Sequence, residues 1–239
     1  WNRRWTGTTV DKDGKEAEVL LSQDYGSEAE WIEHFEYLLT FFKHQNYITV
    51  HGKPVFIIYR IGHIGEMLIP MLEMWQELAV QHGLPGIHFV FTLGNFHKMD
   101  KIEKGMEEAF DATFHFWPQL LGSGYHPGKT GSIEDVPLSV PKQYWGTYSG
   151  FDRRIRDQAA KPLQLSVEDF GESMYESFNA MANMPWREID KNFYFVTAWN
   201  EWNEQAILEP DEKNKFARLQ QVKSNLQSMP MRKFNCTRA

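Results

Sequence analysis

The sequence predicts an α/β fold built around a parallel sheet, and two observations support this prediction. Apolar runs of strand length alternate five or six times with runs in which apolar residues recur at helical spacing. One strand-length run, PVFIIYR at 54–60, is apolar at successive positions, as expected for a strand that helices cover on both faces. Such alternation is typical of βα units and therefore of a parallel sheet.

The first elements follow this pattern in order. Residues Val19 to Gln23 are predicted to form a short strand, and the helix after it is indicated by apolar residues at helical spacing: Trp31, Ile32, Phe35, Leu38, Leu39 and Phe42. The segment HGKP interrupts the helix before the strand at 54–60. A second helix is then indicated by an apolar face: Met67, Leu68, Met71, Leu72, Trp75 and Leu78.

Further strands are predicted in the middle of the chain. IHFVFTL at 87–93 and ATFHFW at 112–117 both end in loop signals, and a short charged helix around 101–109 lies between them. Residues 120–140 hold four glycines and two prolines with little periodicity, which predicts a long loop over the face of the sheet.

The last third repeats the alternation. QYWGTYSGFDRR is predicted as a strand followed by an active loop, a helix is predicted over 166–182 and a strand over 193–199. A final amphipathic helix is indicated by Phe216, Leu219, Val222 and Leu226. We expect one catalytic domain over residues 1–239, because a chain of this length can form a single large core.

Composition excludes several classes of partner. The formal net charge is −7 and no basic stripe is present, so nucleic acid is not an expected partner. No run approaches the ~20 apolar residues of a membrane span, and the single cysteine allows no internal disulfide. The localisation stays open.

Carboxylates gather after the strand at 193–199. The segment TAWNEWNEQAILEP carries Glu201, Glu204 and Glu209, with Trp199 and Trp202 among them. In a parallel α/β fold the catalytic groups lie at the carboxyl ends of the strands. A pair of carboxylates, one protonated and one ionised, is the usual equipment for cleaving a glycosidic bond. The alternative is that these are solvated loop charges, with Glu209 capping the final helix.

Four stretches of the sequence, in order, are similar to one family. AWNEWNEQAILEPD resembles the AWNEWAEGxxLEPD signature of the WbsX-type proteins, a bacterial polysaccharide-locus family related to glycoside hydrolase family 99. WNRRWTG resembles the end of that family's NENWTRRWDG, and HGKPVFIIYR resembles its DGKPVFLIYRP. YSGFDRR is similar to a PGWDNTPR segment. The resemblance therefore runs over nearly the whole chain.

The resemblance implies a fold and a chemistry. It implies a (β/α)8 barrel of the TIM type, which we expect to be incomplete here because the opening WNRRW matches the end of a motif and the chain matches the C-terminal two-thirds of a family member. It also implies a retaining endo-α-mannosidase-like activity. Glu201 then assists the sugar 2-hydroxyl, Glu204 protonates the leaving oxygen, and neither a metal nor an organic cofactor is required.

The sequence departs from the family pattern at three positions near the acids. Asn203 stands where the hydrolases often have histidine and the WbsX-type proteins alanine, and Gln205 replaces the usual glycine. Asp152 is retained, but the tryptophan before it has become Phe151. These changes keep both acids and leave the identity of the sugar open.

Further residues are candidates for substrate binding. Tyr59 and Arg60 end a core strand, where the arginine either holds a sugar hydroxyl or forms a salt bridge under a loop. His115 lies among aromatic residues and either contacts sugar or packs in the core. Trp199, Trp202 and Asp152 complete the predicted binding set.

Three functions compete at this point. The paired acids favour a glycoside hydrolase acting on an oligosaccharide or polysaccharide. A glycosyltransferase of polysaccharide assembly is the second candidate, but Asp11 and Asp13, the one possible metal-diphosphate pair, lie in a charged turn. The third is a sugar-binding fragment without activity, which the missing barrel strands favour.

Overall fold

The computed structural model describes residues 24–93, 105–116, 142–152, 154–155, 158, 162, 165–182 and 193–228. The chain divides into two compact units. The first comprises Ser22–Gln119 and Val136–Tyr144, and the second comprises Trp1–Leu21, Leu120–Asp135 and Trp145–Ala239. The predicted strand at Val19 to Gln23, the opening motif, the loop at 120–140 and Asp11 and Asp13 lie outside the described residues.

The first unit begins with helix α1, Glu28–Phe42, which confirms the first predicted helix. It starts where the Ser27 N–H donates to the Glu30 carboxylate at 2.8 Å, which satisfies a donor that the helix leaves unpaired. Its buried residues, Trp31, Phe35, Leu39 and Phe42, follow the helical period. Ile32 is exposed, so the predicted apolar face is narrower than the sequence indicated.

A tight hairpin follows α1. Strands β1, Thr49–Val50, and β2, Lys53–Ile58, pair antiparallel. The two residues between them, His51 and Gly52, both have positive φ, at 52° and 79°. Two consecutive positive φ angles define the tight turn that matches the twist of paired strands, so the HGKP interruption is this hairpin.

Parallel pairing accounts for the rest of the first unit. Helix α2, Leu68–Gln81, leads to strand β3, His88–Leu93, and then to β4, Ala112–His115. β2 pairs with β3, and β3 with β4, both in parallel. Between β3 and β4 the described residues show a single 3₁₀ turn, Glu107–Ala109, at the end of the predicted charged helix.

A buried polar cluster lies at the amino ends of these strands. His88 Nε2 is 2.9 Å from the hydroxyl of Tyr144, and Asp111 accepts a hydrogen bond from the Phe89 N–H at 2.9 Å. Burial raises the pKa of Tyr144, and the charge of Asp111 raises it further. Polar groups at the amino ends of parallel strands usually stabilise the fold rather than act on substrates.

The second unit contains a further parallel pair and two packed helices. Strand β5, Lys142–Tyr148, begins in the first unit, where it pairs with β4, and its last residues in the second unit pair with a later strand. Helix α3, Val167–Ala182, precedes that strand, β6, Tyr194–Thr197. A short hairpin follows, formed by β7, Asn200–Glu201, and β8, Ala206–Ile207. Helix α4, Ala217–Ser228, is the last described element.

Helix α4 confirms the final predicted helix and part of its predicted apolar face, since Leu219 and Val222 are half-buried. Phe216 and Leu226 are exposed, and the buried residue of α4 is Asn225. The Asn225 amide donates to the carbonyl oxygen of Gly171 in α3 at 3.0 Å, which satisfies the buried donor. The two helices therefore pack through this polar contact as well as through Val222, which packs against buried apolar residues of α3.

The described residues form a mixed α/β fold, which confirms the predicted α/β class. The eight-stranded barrel stays a prediction.

Candidate functional site

Strands β5 and β6 end side by side in the second unit. They pair in parallel, with Tyr148 opposite Thr197 at the carboxyl end. One residue further, the Ser149 N–H donates to the Thr197 carbonyl at 3.1 Å. The loops that leave both strands therefore begin at the same edge, where parallel α/β enzymes place their catalytic groups.

The hairpin after β6 carries both candidate acids. Glu201 lies on β7, where it pairs with Ala206, and Glu204 ends the 3₁₀ turn Trp202–Glu204. Both glutamates are half-buried. Their place after the end of a parallel strand is the one the sequence indicated, and the convergence of the two carboxylates stays a prediction.

Gln205 closes this hairpin in an unusual conformation. Its φ and ψ are 56° and 26°, in the left-handed region that favours glycine. The Gln205 side-chain amide donates to the Trp202 carbonyl at 2.8 Å, which helps to hold the turn. The family pattern has glycine at this position, and the left-handed conformation explains why glycine suits it.

The loop after β5 is bonded to this hairpin through Asp152. The Asp152 N–H donates to the Glu204 carbonyl at 2.6 Å. Gly150 lets the loop lie this close to the hairpin. Any other residue would place a Cβ only 2.9 Å from the carbonyl oxygen of Gln205, which is too close. The backbone of Asp152 therefore lies beside that of Glu204, and the role of Asp152 in binding stays a prediction.

The Asp152 carboxylate is held by Arg154. Arg154 Nε donates to both carboxylate oxygens, at 2.9 and 3.0 Å, and Nη2 donates to Oδ2. These side-chain hydrogen bonds, together with that from the Arg154 N–H, hold the pKa of Asp152 below its ordinary range. Asp152 is therefore suited to accepting hydrogen bonds and not to donating a proton.

The two tryptophans of the hairpin play different parts. Trp202 Nε1 donates to the Glu209 carboxylate at 2.7 Å, and the side chain is 44% exposed. The Trp199 carbonyl accepts hydrogen bonds from the Leu208 and Glu209 N–H groups, both at 3.0 Å, while its ring is 52% exposed. Glu209 thus orients Trp202 and does not cap the final helix through any bond that the structure describes.

A groove of about 630 Å³ lies beside this hairpin, within the second unit. Asp152 and Trp202 line it, whereas neither Glu201 nor Glu204 is among its described lining residues. The far side is formed by the turn that precedes α4, which contributes Asp211 and Asn214. These two residues were not singled out from the sequence.

Asp211 organises the turn before α4. It accepts hydrogen bonds from the N–H and the side-chain amide of Asn214, at 2.5 and 2.9 Å, and from Arg218 at 3.0 Å. Burial raises the pKa of Asp211, but the bonds from Asn214 and the charge of Arg218 outweigh it and leave the pKa lowered. The sequence signal was the DEKN tetrapeptide, since Asp with Asn three residues on is typical of a turn.

The remaining predicted binding residues belong to the first unit. Tyr59 follows β2, is exposed, and its ring centre lies 5.5 Å from that of Phe116. Arg60 is half-buried, and its carbonyl accepts a hydrogen bond from the His63 N–H at 3.2 Å. The backbone of His115 pairs with Leu93, and its side chain lies outside the described part of the structure. Their role in binding stays a prediction.

The described residues contain neither a cluster of metal ligands nor a membrane-spanning helix. Within them, no cluster of three or more histidine, cysteine, aspartate or glutamate side chains is arranged to hold a metal ion. Within the same ranges, no helix has the length and apolar character to cross a membrane.

Carboxylates at the ends of parallel strands, beside a groove with an exposed tryptophan, are features of the carbohydrate-active class of α/β enzymes. Residues 1–140 and 130–222 match the family described as Glycosyltransferase WbsX. The chain belongs to that family, and the resemblance drawn from its motifs is confirmed.

Two relatives and one solved structure extend this result. The chain is 24% identical over 254 residues to proteins from two strains of Xanthomonas campestris pv. campestris, each named Uncharacterized protein WxcX. The match covers 96% of this chain and 34% of the relative, so the chain spans about a third of the length of these curated relatives.

The solved structure is named Glycoside hydrolase-like protein. It matches with a TM-score of 0.58 at 11% identity, and the match covers 92% of this chain and 65% of that one. This chain thus corresponds to slightly less than two thirds of that structure. Identity this low shows a shared fold.

Proposed function

We propose that this protein is a retaining, endo-acting glycoside hydrolase that cleaves α-mannoside-type polysaccharides or glycans with Glu201 and Glu204. The observation that carries the proposal is the hairpin after β6, which holds both glutamates at the carboxyl end of a parallel strand. The bond from the Asp152 N–H to the Glu204 carbonyl ties this hairpin to the neighbouring loop. A fixed backbone supports catalysis because the acids must stay aligned with the bond that breaks.

In the proposed reaction the sugar supplies its own nucleophile. Glu201 accepts the proton of the 2-hydroxyl, and the freed oxygen attacks the anomeric carbon of the same ring. Glu204 gives its proton to the glycosidic oxygen as that bond breaks, so a 1,2-anhydro sugar and a free leaving group result. Water then opens the anhydro ring while Glu204 takes up the water proton and Glu201 returns its proton to the 2-oxygen. Two inversions at the anomeric carbon give net retention.

The family description names a second reaction, glycosyl transfer. A retaining site can pass the sugar to a hydroxyl instead of to water, and a transferase would take its sugar from an activated donor. The two reactions therefore differ in whether a nucleotide sugar is consumed.

One experiment tests both reactions. The protein is incubated with a panel of α-manno-oligosaccharides, with and without nucleotide-sugar donors, and the products are followed by mass spectrometry. We expect shortened oligosaccharides without a donor, and loss of activity in the Glu201→Gln/Glu204→Gln variant but not in Glu172→Gln. Glu172 is an exposed carboxylate on α3 and controls for the change of charge. Products that lengthen only with a donor would contradict hydrolysis, whereas cleavage by the double variant would contradict the catalytic role of Glu201 and Glu204.

A further inference from the structure

The groove beside the candidate acids has the size of a ligand site. Its volume of about 630 Å³ lies within the ~300–1,000 Å³ typical of small-molecule pockets. Trp202 and Gln205 line it, and both lie within two residues of Glu204 in the same hairpin. A ligand in this groove therefore lies directly beside the candidate catalytic turn.

Trp202 offers this groove an aromatic face. The bond from its Nε1 to the Glu209 carboxylate holds the polar edge of the indole, and the side chain stays 44% exposed. An indole fixed at its edge loses little rotational freedom when a ligand stacks on it. Apolar C–H faces, such as those of a pyranose ring, suit such a surface.

Two side-chain amides in the lining each have one N–H donor already in use. The Gln205 NH₂ donates to the Trp202 carbonyl at 2.8 Å, and the Asn214 NH₂ donates to the Asp211 carboxylate at 2.9 Å. A carbonyl oxygen and a carboxylate oxygen can only accept hydrogen bonds, so the NH₂ group of each amide must face its partner. This fixes which end of each amide carries the oxygen. Each amide keeps its oxygen as an acceptor, and sugar hydroxyls are donors that match such oxygens.

The charges of the lining distinguish neutral from acidic sugars. Three carboxylates line the groove, those of Asp152, Asp211 and Glu212, against the cations of Lys213 and Arg218. Arg218 is ion-paired with Asp211 at 3.0 Å. Asp152 is likewise ion-paired, with Arg154, so the lining has no surplus of cations to attract a uronic or sulfated sugar and favours neutral ones.

We infer that this groove is a substrate subsite that binds a neutral pyranose residue of the glycan, next to the bond that is cleaved. The ring stacks on Trp202, and its hydroxyls donate to the amide oxygens of Gln205 and Asn214. The inference rests on the proposed carbohydrate function and adds a substrate class and binding residues to it.

Calorimetry on the full chain tests this subsite. A Glu204→Gln background slows turnover during the titration, and the probes are a neutral manno-oligosaccharide and an acidic oligogalacturonate. We expect the neutral probe to bind, with Kd raised roughly tenfold by Trp202→Ala and about fivefold by Gln205→Gly. Phe216→Ala and Gln220→Ala, exposed positions of the second unit that are not among the residues lining the groove, should leave Kd unchanged.

The Gln205→Gly variant guards against misfolding as an explanation. Glycine fits the left-handed conformation, so this variant should bind more weakly while its urea midpoint does not fall. The subsite would be overturned if both groove variants bound the neutral probe as tightly as the unchanged background. It would also be overturned if the neutral probe did not bind, or if the acidic probe bound more tightly. If groove variants weaken binding but the wild-type protein cleaves no glycan, the proposed hydrolysis fails and the subsite stands.

Discussion

The backbone N–H of Asp152 donates to the carbonyl oxygen of Glu204 across 2.6 Å. Asp152 follows β5 and Glu204 lies in the hairpin after β6, so this bond joins the loops of two neighbouring parallel strands. The bond from the Ser149 N–H to the Thr197 carbonyl, at 3.1 Å, joins the same loops where they begin. The backbone position of Glu204 therefore depends on the path of the loop at 149–152.

Gly150→Ala should disturb this connection. Its new Cβ would lie 2.9 Å from the backbone oxygen of Gln205, which cannot move without shifting the hairpin. We expect a loss of about 1–3 kcal/mol in the free energy of unfolding, measured in urea, together with reduced activity.

Gly171→Ala provides the matched comparison. Its Cβ would meet the end of the Gln221 side chain, which can rotate away, and alanine favours the helix. We expect a change within about 1 kcal/mol of wild type. Similar losses in the two variants would show that backbone contact at Gly150 is not what matters.

Gln205→Gly should stabilise the protein slightly. Left-handed φ costs a non-glycine residue roughly 1–2 kcal/mol, so glycine removes this strain. Glycine also makes the unfolded chain more flexible, which lowers the free energy of unfolding by about 0.4–1 kcal/mol. The exposed bond to the Trp202 carbonyl is also lost. The net gain should be about 0.5 kcal/mol in the free energy of unfolding.

Gln220→Gly is the control for that prediction, because it makes the same substitution at an exposed position inside α4. There the glycine should cost about 1 kcal/mol. Urea unfolding of the two variants should thus give changes of opposite sign. A destabilised Gln205→Gly would mean that the side-chain bond outweighs the strain.

Asp211→Asn should make the free energy of unfolding less dependent on pH in the acid range. The folded pKa of Asp211 lies below its ordinary value of 3.8, so its contribution is complete above that value and disappears as pH falls through the folded pKa. We expect the variant to lose about 1 kcal/mol at pH 7, and this loss should shrink as the pH falls below 3.8, because a protonated aspartate no longer gains from its charge.

Thermal unfolding between pH 2 and 7 measures this difference. Glu212→Gln is the control, because Glu212 is the next carboxylate in the chain and is exposed. A constant difference between Asp211→Asn and wild type at every pH would show that the loss comes from shape and not from charge.

Much of the fold was predictable because its signals are local. The buried faces of α1 and α2 follow the helical period, and each parallel strand of the first unit lies where its apolar run predicted it. The burial of Asn225 in α4 was not predictable, because it depends on a carbonyl of α3, 54 residues earlier. Such a partner becomes visible only when the helices are placed.

Some features of the candidate site were also predictable from the sequence, and others were not. The position of Glu201 and Glu204 after a strand follows from the apolar run before them, and the structure places them there. The bond between Asp152 and Glu204 joins residues 52 positions apart, so no pattern along the chain indicates it. Nor could the sequence indicate that Asn214 lines a groove with Trp202, since turn residues are common and most face only water.

Glu204→Gln should slow the cleavage of natural glycans much more than that of activated substrates. An amide cannot give a proton to the departing oxygen, and general acid catalysis contributes typically 10²–10⁴-fold. An aryl leaving group departs without that proton, so kcat/KM for an aryl α-mannoside should fall far less than for an oligosaccharide. Glu201→Gln is the comparison, because assisting the 2-hydroxyl matters whichever group leaves, and both substrates should then slow alike. Equal losses for the two substrates in Glu204→Gln would contradict the acid role and indicate instead that Glu204 acts in binding or folding.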